Sequence, residues 1–205
     1  MTQDQAPHQM RAELVTLEGE WARLESLGLE HAEALFAAAQ DPDAWRYVST
    51  DASVSPDAMR QWIATALAEQ AVGQSLPFAI VRRADGAVVG STRYLDIRPA
   101  HCGLEIGWTW LTPSARRTAI NTECKYLLLG HAFERLGAIR VQLKTDRRNE
   151  RSQRAIERLG AVHEGMLRKH LIYDNGYQRD SVMYSITDDE WPAVKANLEA
   201  KLRAR

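Results

Sequence analysis

The sequence predicts a single domain of the α/β (α+β) class: a mixed, mostly antiparallel sheet of about seven strands, flanked by helices and splayed near its middle. Three observations predict it. Strand-like runs at residues 76–83, 88–97 and 104–111 are joined by turn signals at Ala84-Asp85-Gly86-Ala87 and around Pro99 to Gly103, which reads as an antiparallel meander. Downstream the pattern changes to helix, strand, helix, so the later strands pair on a different plan and the sheet opens where the plans meet. At 205 residues, with no glycine-rich, proline-rich or low-complexity run, the chain is sized for one packed core.

Each element follows from local chemistry. Residues 1–12 are polar and read as a flexible arm ahead of a domain at 13–205. Residues 14–17 and 21–27 alternate around Gly19 as a first strand or hairpin. Residues 30–39 read as a short helix with Ala34, Leu35 and Ala38 on one face, stopped by Asp41-Pro42. Ser55 caps a second helix that opens on Pro56, and Met59, Trp62, Ile63, Ala66 and Leu67 keep the helical period until Gly73. After the meander come a helix at 121–136 closed by Gly137, a strand at 139–145, and a helix at 149–159 closed by Gly160. Two strands at 161–172 and 178–186, joined through Asp174-Asn175-Gly176, precede a terminal helix from about Asp188.

Composition excludes several classes. The formal net charge is −1, so no general attraction to nucleic acid or anionic lipid is encoded. Cys102 and Cys124 are too few for a disulfide framework and lack zinc-site spacing, so no metal is expected and a reducing, cytoplasmic home fits. No apolar run approaches the ~18 residues of a membrane span, and the start MTQDQAPHQ lacks a secretion-signal core. Chemistry is concentrated instead between Glu105 and Thr122. There a strand runs through a turn at Thr112, Pro113 and Ser114 into a basic loop and a helix start. Unpaired N–H groups and the positive dipole end converge at such a junction and favour phosphate.

The pieces Glu105-Ile106-Gly107 with Trp110-Leu111, the loop from Arg116 to Asn121 followed by Thr122-Glu123, and Asn149-Glu150-Arg151-Ser152 leading through Ala155-Ile156 to Leu159-Gly160 occur in a telling order. In order and spacing they resemble the GNAT N-acetyltransferase superfamily, in its RimJ/RimL-like branch of ribosomal-protein-alanine N-acetyltransferases, from Trp21 to about Trp191. The resemblance implies transfer of an acetyl group from acetyl-CoA to a primary amine by direct attack in a ternary complex. It further implies that Arg116, Arg117, Thr118, Ala119, Ile120, Asn121 and Thr122 hold the pyrophosphate, with Asn149 and Ser152 also at the cofactor. The superfamily loop is written Gln or Arg, two residues, Gly, one residue, Gly or Ala. Here Arg116 matches, but Ala119 replaces the first glycine and Asn121 the last small residue. Alanine permits fewer backbone conformations than glycine, so weaker pyrophosphate binding is expected, offset in part by Arg116 and Arg117.

Acetyl transfer needs a neutral amine, a stabilised oxyanion and a protonated thiol. Strand alternation places Leu104, Ile106, Trp108 and Trp110 on one face and Glu105, Gly107, Thr109 and Leu111 on the other. Glu105 above Gly107 has room beside it, and the resemblance implies it takes the amine's proton; by pattern alone it is a solvated strand charge. An α-amine is neutral at pH 7 far more often than a lysine, a difference of about 3.5 kcal/mol, so one glutamate suits an α-amine better. Where many superfamily members carry a tyrosine to protonate the thiolate, this chain has Ile156, and Ser152 on the same helical face is the substitute. Spacing alone makes Ser152 a buried serine bonded to a carbonyl one turn back and Asn149 a helix cap.

Main-chain donors at Trp110, Leu111 and Thr112 are expected to meet the oxyanion and the pantetheine. Trp45 and Tyr47 are candidates for the substrate wall, His101 for the acceptor entrance, and Trp62 for the core. The run Lys144, Arg147, Arg148, Arg151 and Arg154 reads either as a contact for the ribose phosphate or as a solvated helix face. The acceptor is open among a small molecule, a peptide and a protein N-terminus, and a homodimer is compatible with the sequence. The competing reading is a non-catalytic acyl-CoA-binding module on the same fold; nucleic-acid binding through the arginines is disfavoured by the net charge.

Overall fold

The expected turns close where glycine supplies a left-handed residue: Gly86 at φ +70° between the first two meander strands and Gly160 at φ +106° after the penultimate helix. The computed structural model of the chain describes residue 10 and residues 13–205. The loose arm expected at 1–12 lies outside the described residues, apart from Met10, whose side chain is buried in the main core. In chain order the strands are β1 (Leu17–Glu18), β2 (Ala22–Ser26), β3 (Ser75–Arg82), β4 (Val88–Arg98), β5 (Gly103–Leu111), β6 (Arg140–Asp146), β7 (Val162–Ile172) and β8 (Gln178–Thr187). The helices are α1 (Ala32–Ala38), α2 (Pro56–Ala71), α3 (Ala119–Gly130), α4 (Glu150–Leu159) and α5 (Trp191–Arg203). The first hairpin therefore makes two strands, and the sheet has eight.

The sheet order is β1-β2-β3-β4-β5-β6-β8-β7, antiparallel at every pairing except β5 with β6. That one parallel pairing covers only Gly103, Leu104 and Glu105 against Arg140, Val141 and Gln142. Beyond it β5 stays with β4 while β6 stays with β8, so the two halves of the sheet diverge. The predicted opening is there.

Helices α3, α4 and α5 cover one face, where Ile120, Leu128, Ile156 and Leu198 bury strand residues such as Phe78, Leu104, Ile106, Val141 and Tyr184. Helices α1 and α2 cover the other over a smaller core of Leu35, Trp45, Met59, Trp62, Ile63 and Trp110. Ser55 Oγ accepts from the Ala58 amide at 3.0 Å and starts α2 as its sequence requires. Helix α3 begins two residues earlier than the periodicity indicated, because Thr118 caps it by accepting from the Ile120 amide at 3.2 Å. Its last residues widen into a π-helical turn at His131–Arg135. Glu123 fixes α3 against the first hairpin, its carboxylate accepting from the amides of Glu20, Trp21 and Ala22 at 2.7, 2.8 and 2.7 Å.

Candidate active site

The face assignment along β5 changes at a bulge. Arg93 pairs with Gly107 and Ser91 with Trp110, so Trp108 and Thr109 together oppose Thr92, and Trp108 takes φ +48°. The extra residue inverts the alternation beyond it. Leu111 joins Leu104 and Ile106 in the main core, while Trp110 joins Trp45 and Trp62 on the face of Glu105. The simple alternation that grouped Trp108 and Trp110 with Leu104 fails for this reason.

Glu105 is the last β5 residue paired to β6, and only 2% of it is exposed. Its Oε2 accepts from Gln142 Nε2 at 3.0 Å and from Lys144 Nζ at 2.7 Å, both on the same face of β6. Its Oε1 lies over Gly107, where an added Cβ would stand 3.0 Å from it. A solvated strand charge is therefore the wrong picture: the carboxylate is buried, held through one oxygen and presented through the other above a residue without a side chain. Leu95 closes one side of that gap. Farther along the same face, the Arg93 guanidinium stacks 4.3 Å from the Trp62 ring and 5.1 Å from that of Trp108, and pairs with Glu69 at 3.3 Å. Burial draws the Arg93 pKa down to about 10 against the pull of Glu69, so it stays charged at neutral pH. On the β7–β8 side, His170 bonds Ser181 Oγ at 3.0 Å. Burial and the nearby charges of Lys144 and Arg179 hold its imidazole below the ordinary value, hence neutral at pH 7.

At the open end, the Thr112 amide donates to Val89 O at 2.8 Å and is not free, which corrects its place among the unpaired donors. Strand alternation then turns the Leu111 amide to the opposite flank, toward the opening. Arg116 donates to Leu111 O at 2.9 Å and also pairs with Asp41. Its guanidinium is thus a brace between the end of β5 and the α1–α2 connection rather than a free phosphate ligand. Asp41 is held below the usual carboxylate range: burial would raise it, but the Asp43 amide and Arg116 together outweigh that. Arg117 is exposed and occupies the left-handed region at φ +58°. Ala119 is the first residue of α3 and has no positive φ, so its position does not demand glycine. With Thr118 serving Ile120, the amides of Ala119 and Asn121 lack helical partners and point out of the helix start beside Thr122. This junction fits a diphosphate through main-chain donors, the dipole end and Arg117.

The α1–α2 connection crosses the opening. Besides Asp41, its Tyr47 carbonyl accepts from Tyr173 Oη at 3.1 Å, and its Asp43 carbonyl from Arg151 at 3.4 Å. A cavity of about 270 Å³ lies beneath it, lined by Tyr47, Arg46, Arg148, Asn149 and Arg151 among others. Tyr47 thus stands in a cavity wall. Trp45 does not: it is buried against Trp62 and Trp110, and its indole donates to Ala39 O at 2.8 Å, because the connection folds it inward. His101 is exposed in the turn ahead of β5, at the end where β5 and β6 are paired and on the far side of that pairing from the opening, which speaks against a place at the acceptor entrance.

Asn149 Oδ1 accepts from the Ser152 amide at 3.0 Å and caps α4. The Ser152 side chain is half-buried, and its hydroxyl has no hydrogen-bond partner among the described residues, so the bond to a preceding carbonyl expected from spacing is not made. The five basic residues each have a partner: Lys144 with Glu105, Arg147 with Asp180, Arg148 with Asp146, Arg151 with the Asp43 carbonyl, and Arg154 with Glu150. Carboxylates offset all of these charges except that of Arg151, whose partner is a neutral carbonyl, and the Arg147, Arg148 and Arg154 side chains stay largely in solvent.

Sequence reasoning missed Lys125. It is buried in α3 and donates to Thr109 Oγ1 at 2.6 Å beneath the bulge, with Thr92 Oγ1 2.8 Å from the same oxygen. Burial pulls its pKa down to about 8. Because the folded value lies below the unfolded one, the charged form destabilises the fold at pH 7, and the penalty lifts as pH rises from about 8 toward about 10.4. Lys125→Met is accordingly expected to raise stability at pH 7 by about 1–3 kcal/mol, with the gain vanishing near pH 10, as read by denaturant unfolding at both pH values. The periodicity of α3 carried the signal, since residue 125 follows Ile120 and Cys124 on a core-facing helix.

Among the described residues, no helix is long and apolar enough to cross a membrane, and no group of three or more metal-ligating side chains occurs. Residues 22–162 match the family model of the acetyltransferase (GNAT) domain. A T. thermophilus crystal structure assigned to the acetyltransferases is 43% identical, with a TM-score of 0.85 over 94% of this chain and 100% of that one. YdaF of Bacillus subtilis (strain 168), which carries the name of a ribosomal N-acetyltransferase, is 32% identical over 54% of this chain and 60% of its own. The fold is also that of Mycobacterium smegmatis RimJ, solved in complex with CoA-disulfide, at 24% identity and a TM-score of 0.74 over 88% of each chain. The splayed sheet, the capped helix start beside it and these likenesses together place the chain in the GNAT family, as an acetyl-CoA-dependent N-acetyltransferase.

Proposed function

We propose that the chain acetylates a primary α-amine, on a small molecule, a peptide or a protein N-terminus, by direct attack within a ternary complex. The observation that carries this is Glu105, buried at the point where β5 and β6 part and presenting an unshared Oε1 above Gly107. Bound acetyl-CoA supplies the activated thioester. The α3 start from Thr118 to Thr122, with Arg117, would hold its diphosphate, braced by Arg116. The Leu111 amide would donate to the pantetheine arm of the acyl donor. Glu105 Oε1 takes the proton of the attacking amine, directly or through one water. Asn149 orders the first turn of α4 so that Ser152 can return a proton to the leaving sulfur.

The acceptor approaches from the α1–α2 face, which supplies Trp108, Arg93, Tyr47 and the neutral His170. Following free thiol with acetyl-CoA and a panel of amines tests the reading: α-amines are expected to outpace lysine side chains. No release with any acceptor, together with no cofactor binding by calorimetry, would sink it. Ser152→Ala is expected to lower kcat about tenfold with little change in the KM for acetyl-CoA. Steady-state kinetics check this, and an unchanged kcat assigns the proton to water.

A further inference from the structure

The amine nearest the proposed base belongs to the protein itself. Lys144 stands on β6 two residues beyond Gln142, the last residue paired with β5, and on the same strand face. Its side chain therefore enters the opening where the strands begin to part. Nζ lies 2.7 Å from Glu105 Oε2, the kind of contact an acceptor's ammonium makes with a carboxylate, and 22% of the side chain is exposed. The groups that face it are Glu105 from β5, Gln142 on its own strand and the neutral His170 from β7. Lys195 and Lys201 are elsewhere: both lie on α5 across the sheet, one paired with Glu134 and the other bonded to Arg158 O.

We propose that Lys144 is a self-acetylation site, modified by the enzyme's own active centre when no external amine fills it. The inference rests on the active-site reading above. In the step, the Lys144 ammonium first releases one proton to solvent; neutral Nζ then attacks the thioester carbonyl carbon, the C–N bond forms, the C–S bond breaks and its electron pair leaves with sulfur. The surplus proton on nitrogen passes to Glu105 and then to the thiolate, giving an Nε-acetyl-lysine and free thiol. No oxidant, reductant or further reactant is needed. The product has lost the charge that paired with Glu105, freeing Oε2 and altering the floor on which an acceptor sits.

Incubating the whole protein with acetyl-CoA alone, and following each lysine by residue-resolved mass spectrometry, tests this. Lys144 is expected to be acetylated about tenfold or more faster than Lys195 and Lys201, since proximity raises its effective concentration. Its rate constant should not depend on protein concentration, should fall in Glu105→Gln, and should drop when an α-amine acceptor saturates the site. In the acetylated protein the His170 titration, read by NMR, should move up because the Lys144 charge that depresses it is gone. Labelling of Lys144 no faster than of the α5 lysines, or in proportion to protein concentration, overturns the inference. Transfer to an external amine without labelling at Lys144 overturns it while leaving the active-site reading intact; absence of both overturns both.

Discussion

Glu105→Gln is expected to lower kcat about a hundredfold at pH 7 without unfolding the protein. The amide keeps the shape of the carboxylate and an oxygen that accepts from Gln142 and Lys144, so the buried donors at 3.0 and 2.7 Å retain a partner. What is lost is a proton acceptor at Oε1. The α3 start lies at the far end of β5, so the KM for acetyl-CoA should change little. As pH rises, a larger share of the acceptor is already neutral and the deficit should shrink. The shrinkage should come earlier for an α-amine, with its pKa of about 7.7–8.0, than for a lysine-type amine near 10.4. Measuring kcat against pH with one acceptor of each type separates the outcomes; a profile parallel to that of the wild type removes Glu105 from the base role.

The meander, the turns and the strand–helix alternation were legible because each rests on local chemistry. Asp85-Gly86 and Asn175-Gly176 are turn signals, Ser55-Pro56 starts a helix, and Gly160 ends one. The opening was legible as a change of pairing plan. Its floor was not. The bulge at Trp108 adds one residue to β5 directly after Gly107, an isolated strand glycine that the simple alternation read only as room beside Glu105, and every face assignment beyond it inverts. The partners of Glu105 depend on the short parallel register with β6, which no sequence periodicity encodes, so Lys144 read only as one member of a basic run. Asp41 was visible as a helix stop but not as the partner of Arg116, 75 residues away. The departure at Ala119 looked costly because the superfamily pattern has glycine there. The structure places the left-handed residue at Arg117 instead and lets Ala119 begin the helix, where alanine is well suited. The conformational cost expected at Ala119 is therefore not incurred.

Gly90→Ala is expected to cost about 3 kcal/mol of stability and to impair acetyl-CoA use at the same time. Gly90 pairs with Leu111, and a Cβ at residue 90 would stand 2.1 Å from the Trp110 carbonyl oxygen and 3.1 Å from Leu111 Cα. Both are backbone atoms, so no side-chain rotation relieves the collision; β4 and β5 must separate where β5 carries the Leu111 amide. Residue 90 has no positive φ, so the effect comes from space rather than from backbone conformation. In a domain of this size the loss corresponds to a fall in Tm of about 6–12 °C. Gly103→Ala is the matching control. It lies in the same antiparallel pairing at the closed end, where the nearest atom to an added Cβ is Arg98 Nη2 at 3.4 Å, the end of a flexible side chain. Thermal denaturation should separate the two variants, and saturation kinetics should show a raised KM for acetyl-CoA in Gly90→Ala alone. Equal melting of the two would mean that β4 and β5 yield at residue 90 without strain, and an unchanged KM would detach the Leu111 amide from the acyl donor.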